Sequence, residues 1–325
     1  MSDILFAINA TAPIVLMVAV GYFLKKIGLL EATLGKSLNK LVFRVFLPVM
    51  LFLNVYKIES FAEIDFTFVL YALAATLVLF VFALIFPRLI TDENAKRGAL
   101  LQSVFRANYA LVGIPLATSL FGERGSIMAT VLSAFIVPLF NMLAVVGLSV
   151  FSPEKKPSFK RVFIDILKNP LIQAIALGMV TLGIRAIFVK TGVEFRLTDL
   201  TPIYKTLSNL SSIATPLALL ALGAQFELSA IPELKRHIIF GVVTRNFIVP
   251  LLGIGAALLI GRFEGAHFAT FVAVFCTPVA VSSVPMAQEM KADTALAGQL
   301  VVWTTVFSAM SIFLASYVLK VLGIF

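Results

Sequence analysis

The chain has 325 residues, 60% of them hydrophobic and only 13% charged, with a net charge of +9 and a mean hydropathy of +1.02. A soluble domain carries about 25% charged residues, so this composition excludes a soluble globular protein and points to an integral membrane protein. The basic residues fall between apolar runs and form no patch interleaved with aromatics, which excludes a nucleic-acid partner.

A membrane span needs about 20 mostly apolar residues. Ten segments meet that: 4–24, 38–56, 66–87, 97–121, 126–151, 170–189, 203–226, 238–260, 266–289 and 295–320. The first opens with Asp3 rather than a basic stretch and is long enough to span, so it reads as a retained helix and not a signal peptide. The third and fifth hold no charge. The fourth and ninth are interrupted, at Asn108-Tyr109-Ala110-Leu111-Val112-Gly113-Ile114-Pro115 and at Pro278-Val279-Ala280-Val281-Ser282-Ser283-Val284-Pro285. Proline inside a helix removes a hydrogen bond and clashes with the preceding turn. In hydrocarbon, such breaks survive only inside protein or along a wet cavity. A matched pair of broken segments is a pointer to a transporter's substrate site, and Gly113, Pro115, Pro278 and Pro285 are its helix-break residues.

Residues 152–169, with Lys155, Lys156, Lys160, Arg161 and Lys168, read as a linker between a first half, 1–151, and a second, 170–325. The halves resemble repeats. Pro13 and Gly21 parallel Pro170 and Gly178, and Leu47-Pro48 parallels Thr215-Pro216. Ile114-Pro115-Leu116-Ala117 matches Val284-Pro285-Met286-Ala287. Five spans per half is an odd number, so the second half is inverted relative to the first. The fold class is an all-α polytopic membrane protein of ten transmembrane helices in a five-plus-five inverted repeat. Odd-numbered loops hold most of the Lys and Arg, among them Lys25, Lys26, Lys36, Lys40 and the linker cations. They are therefore assigned to the cytoplasm, with both termini non-cytoplasmic, in the plasma (inner) membrane.

Three cations remain inside spans: Arg44, Arg106 and Arg245. A charge at the bilayer centre costs at least ~2.5–3.5 kcal/mol and calls for a partner or a function. No Asp or Glu lies deep in any span, so none of the three has an obvious acidic partner. A guanidinium fork matches a carboxylate bidentately, which suits an anionic ligand. Arg106 stands at the edge of the first break and reads either as a countercharge or as a structural donor to carbonyls of the opposite broken helix. Arg245 reads either as a ligand group or as a donor to carbonyls freed near Pro250. Arg44 lies near a span end and can snorkel. Asn108 can bind a ligand or cap a half-helix, and Ser282 and Ser283 can act likewise at the second break. Half-helix N-termini attract anions directly. Asn141, with Gln102, Thr215 and Gln225, reads as a ligand group or an interhelical hydrogen bond.

Chemistry of other kinds finds little support. Cys276 is the one cysteine, so no internal disulfide and no cysteine-based metal site is expected. His237 and His267 lie apart, near segment ends, and read as interfacial. No HExxH, GxSxG, Walker A or GxGxxG pattern occurs, so no catalytic residue, metal or cofactor is assigned.

Asn108-x-x-x-x-Gly113-Ile114-Pro115-Leu116, followed by Phe121-Gly122, resembles the auxin efflux carrier family, whose plant members carry a similar stretch in their fourth helix. Thr277-Pro278 through Ala287-Gln288-Glu289 resembles their ninth. Leu47-Pro48 and Leu222-Gly223-Ala224 are similar to bacterial members. The resemblance covers essentially the whole chain. It implies helices 4 and 9 crossing at their breaks, helices 1, 2, 6 and 7 as scaffold, and helices 3–5 and 8–10 as a transport domain moving elevator-fashion. It also implies a homodimer through the scaffold and cargo of organic-anion type: auxin in plants, malonate or other carboxylates in bacteria. The short linker favours a prokaryotic member, and Arg106 favours a small acid over auxin. The expected function is secondary transport of a small organic anion, with no enzymatic activity. The alternative is a sodium- or proton-coupled symporter or antiporter of the same inverted-repeat fold with a non-carboxylate substrate. The coupling ion, sodium or proton, stays open.

Overall fold

The computed structural model describes residues 2–57, 66–152, 164, 167–192 and 195–325. Linker residues Lys155, Lys156, Lys160 and Arg161 lie outside these. The described chain is helical, apart from short turns and an isolated antiparallel bridge between Ala107 and Val279. In order come α1 (Ser2–Lys26), α2 (Ala32–Leu41), α3 (Leu47–Tyr56), α4 (Phe66–Ile85), α5 (Pro87–Ile90), α6 (Asn94–Phe105) and α7 (Ile114–Val150). The second half gives α8 (Pro170–Lys190), α9 (Thr201–Gln225), α10 (Ile231–Val243), α11 (Val249–Ile260), α12 (Gly265–Phe275), α13 (Ser283–Glu289) and α14 (Thr294–Val321).

Among the described residues, seven helices are long and apolar enough to cross a membrane. The fourth and ninth expected spans are not continuous. Each is split by its break, into α6 and the start of α7 and into α12 and α13. The expected gap between the fourth and fifth spans is a sharp bend inside α7, at Phe121 and Gly122. Gly122 sits at φ 59°, ψ −144°, a conformation in effect reserved for glycine. A Cβ on nearby Gly125 would come within 2.2 Å of the Ala117 carbonyl, so the bend also needs a bare backbone there.

Proline shapes the helices in a repeated way. π-helical turns at Val42–Phe46, Tyr109–Gly113 and Thr244–Ile248 each end two residues before a proline: Pro48, Pro115 and Pro250. The ring lacks an N–H and crowds the carbonyl four residues back, so the ladder widens locally. Apolar packing holds these interrupted rods together, and glycine sets the closest approaches. A Cβ on Gly21 would meet the Leu220 carbonyl at 2.4 Å, and one on Gly223 would meet the Val18 carbonyl at 2.2 Å. α1 and α9 therefore touch backbone to backbone, a contact that only small residues permit. Gly178 does the same for α8 against α3, where a Cβ would lie 2.8 Å from Val55 and 3.2 Å from the Phe52 carbonyl.

One cation departs from expectation. Arg44 has an acidic partner, Glu289, at 3.2 Å. Glu289 is the last residue of α13 and meets Arg44 across 245 positions of sequence.

Candidate functional site

The two breaks meet. α6 stops at Phe105, and Arg106 is extended at φ −91°, ψ 102°. Ala107 then pairs with Val279 of the second break. The Asn108 N–H donates to the Pro278 carbonyl at 2.7 Å, and the Ala280 N–H donates to the Arg106 carbonyl at 3.3 Å. Each break thus satisfies backbone groups that the other leaves orphaned, which an apolar surround requires. Thr304 of α14 supports the crossing by accepting from the Val279 N–H at 3.1 Å.

Arg245 serves the second break. Pro278 lacks the N–H that would bond the Val274 carbonyl one turn back. The Arg245 guanidinium donates to that carbonyl instead, through Nη2 at 2.7 Å, and to the Thr277 carbonyl through Nε at 2.7 Å. The carbonyls it holds are therefore those of the second break and not ones freed near Pro250. Arg245 has no exposed surface.

Arg106 is held differently. It is 1% exposed, and its partners are side chains rather than the carbonyls of the opposite helix. Nη1 donates to Gln102 Oε1 at 2.6 Å and to the Met286 sulfur at 3.0 Å. Nη2 donates to Asn141 Oδ1 at 2.7 Å and to Ser282 Oγ at 2.8 Å. All four acceptors are neutral. Among the described residues, no carboxylate lies within ion-pair distance of Arg106.

A cavity of about 50 Å³ adjoins Arg106. The two breaks and α7 supply one wall, including Asn108, Asn141 and Ser282. α3 and α9 supply the other, including Leu47 and Thr215. Asn108 does not cap the following helix with its side chain. Its backbone carbonyl accepts from Val112 instead, and its buried Nδ2 has no partner. The Ser282 hydroxyl likewise makes no cap, being engaged by Arg106. Ser283 is buried with its hydroxyl unpartnered but does not line the cavity. α13 has only seven residues, so its N-terminal field is weaker than that of the long helix after the first break.

The structure thus brings Arg106, Asn108, Asn141 and Ser282 together and sets Arg245 and Ser283 apart. Gly113 acts by its size: a Cβ there would sit 3.0 Å from the Ala273 carbonyl, so it lets α12 close on the first break. Pro278 gives the crossing its carbonyl acceptor, Pro285 is buried in α13, and Pro115 is exposed. Met286 and Thr304 carry no signal in the sequence, because an isolated thioether or hydroxyl in an apolar run looks like packing.

The family model described as membrane transport protein matches residues 6–160 and 156–316. An uncharacterized transporter of Methanocaldococcus jannaschii is 25% identical over 316 residues, covering 94% of this chain and 96% of that protein. One of Methanothermobacter thermautotrophicus is 23% identical over 308 residues, with the same coverage of 94% and 96%.

Proposed function

This chain belongs to the membrane transport protein family, that of the auxin efflux carriers, and from that premise we propose that it is a secondary transporter of small organic anions, mono- or dicarboxylates such as malonate. One observation carries the reading: a fully buried guanidinium, Arg106, held only by neutral acceptors beside a small cavity. A carboxylate entering there supplies the missing negative charge. The unpartnered Asn108 amide supplies a further donor. A space of about 50 Å³ suits a small acid's head group, far below the ~300–1,000 Å³ that houses a drug-sized ligand.

The architecture in this reading is ten spans in a five-plus-five inverted repeat, over 1–151 and 170–325, with helices 4 and 9 crossing. Matched contacts support it. Gly21 packs on the Leu220 carbonyl, four residues after Pro216, and Gly178, nearest to Val55, also meets the Phe52 carbonyl, four residues after Pro48. Helices 1, 2, 6 and 7 are the scaffold, and the others move against it as an elevator. The cavity's two walls, α3 and α9 against the breaks and α7, support that division, because the ligand then lies at the seam. A homodimer in the plasma membrane, with both termini non-cytoplasmic, belongs to the same reading.

The test is uptake of labelled malonate into proteoliposomes, with succinate, lactate, pyruvate, oxalate and indole acetate as competitors, with and without sodium. At least one acid is carried saturably. Arg106→Gln lowers that uptake roughly thirtyfold or more, since truncating one partner of a buried charge pair costs ~2 kcal/mol or more. Normal uptake by Arg106→Gln removes the countercharge role, and transport of no acid removes the substrate class.

A further inference from the structure

Arg106 is held at its two ends by different kinds of residue. Nη2 donates to Asn141 and Ser282, and both line the cavity of about 50 Å³. Nη1 donates to Gln102 and Met286, and neither lines it. The guanidinium therefore has a cavity end and an anchored end. Gln102 is the stronger anchor: its Oε1 accepts at 2.6 Å, whereas a thioether sulfur is a weak acceptor.

Gln102 is itself fixed on both sides. It lies in the last turn of α6 and is fully buried. Its backbone carbonyl accepts from the Arg106 N–H at 3.1 Å, so one residue holds both the main chain and the side chain of Arg106. Its Nε2 donates to the Ser283 carbonyl of the second break at 3.4 Å. That contact sets which way the amide points. Reversed, the amide would turn its NH2 toward the guanidinium and its oxygen toward a carbonyl, two repulsions in a buried place. The second break thus presents Oε1 to Arg106.

An amide does here what a carboxylate of nearly the same shape could not. A glutamate at this position would pair with Arg106 from inside the protein and take up the charge that attracts an anion. Glutamine satisfies an N–H and leaves the charge in place. At the cavity end, Ser282 accepts from Nη2 through its oxygen and keeps its own O–H to donate to an arriving carboxylate. We propose that Gln102, which lies outside the cavity, is the positioning residue for Arg106: it grips the guanidinium by its far end and holds it, still charged, toward the cavity. This rests on the reading of the chain as an organic-anion carrier.

The experiment is calorimetric titration of malonate, succinate, lactate, pyruvate, oxalate and indole acetate into the full chain in nanodiscs of zwitterionic lipid, with a melting temperature for each variant. Gln102→Glu stays folded and lowers the affinity for the bound acid about as far as Arg106→Gln does, roughly thirtyfold or more. Gln102→Leu, which removes the anchor and adds no charge, lowers it about tenfold. In an Arg106→Gln background neither substitution lowers affinity further, because the effect runs through the guanidinium. A residue that merely propped up the crossing would weaken binding in both backgrounds. Wild-type affinity in Gln102→Glu overturns the proposal and leaves the carrier reading intact. So does a further loss in the Arg106→Gln background. If Gln102→Glu fails to fold, Gln102→Leu decides by the same comparison, and collapse of both makes Gln102 a structural residue and overturns the proposal. A wild-type chain that binds none of the acids overturns the carrier reading and the proposal with it.

Discussion

Arg106 and Arg245 are the same residue type, each buried beside one of the two breaks, yet they solve different problems. Arg245 donates to the Val274 and Thr277 carbonyls, one of them orphaned by Pro278. Its hydrogen bonds replace missing backbone ones, and it does not line the cavity beside Arg106. Arg106 finds its own break already satisfied by the backbone bridge to the second. It is left with Gln102, Asn141, Ser282 and a thioether, beside a cavity of about 50 Å³. The difference teaches that burial of a cation is no sign of function by itself. What distinguishes the two is whether their acceptors are part of the fold's own backbone accounting.

Substitutions can break that comparison. Arg245→Leu has the largest expected effect, because two buried carbonyls lose their donor at ~1–3 kcal/mol each. The unfolding temperature and folded yield should drop sharply, while ligand affinity of the folded fraction holds. Wild-type stability in Arg245→Leu together with lost binding reverses the two roles. Arg106→Lys comes next. It keeps a charge but loses the planar fork, so affinity falls by ~1.5 kcal/mol or more, with less loss of stability than in Arg245→Leu. Lysine binding as well as arginine would reduce Arg106 to a point charge.

Gly122→Ala sharpens a second contrast, between the turns that follow the breaks, one built on glycine and the other on Lys291. Its backbone at φ 59°, ψ −144° excludes a side chain, and the strain is ~1–3 kcal/mol, read as a lower melting temperature. The smallest effect belongs to Asn108→Ala. Its Nδ2 bonds nothing in the protein, so stability stays within ~0.5 kcal/mol while ligand affinity drops about tenfold. A large stability loss with unchanged affinity would make Asn108 structural.

Much of this was legible in the chain itself. Proline and glycine inside apolar runs mark breaks wherever they occur, so 108–115 and 278–285 are visible without coordinates. Charges in hydrocarbon are costly, so Arg106 and Arg245 stand out by type alone. The helix count was less legible, since a break divides a span and a glycine bend can leave two rods hydrogen-bonded as one, as α7 shows. Arg44 had no visible acid because Glu289 sits at the far end of the ninth segment and meets it only when α13 packs on the second.

The sequence by itself determined that the protein lives in a membrane, that it is helical, and where its helices fail. Those follow from hydropathy and from the missing proline N–H, which are properties of neighbouring residues. Only the tertiary structure decided which arginine faces a cavity and which one mends a backbone. That choice turns on which carbonyls other helices leave unpaired, and hydrogen-bond partners from 29 to 176 positions apart share no local pattern. The Asn108 amide left over at the crossing is the same case: its lack of a partner exists only once every neighbour has found one.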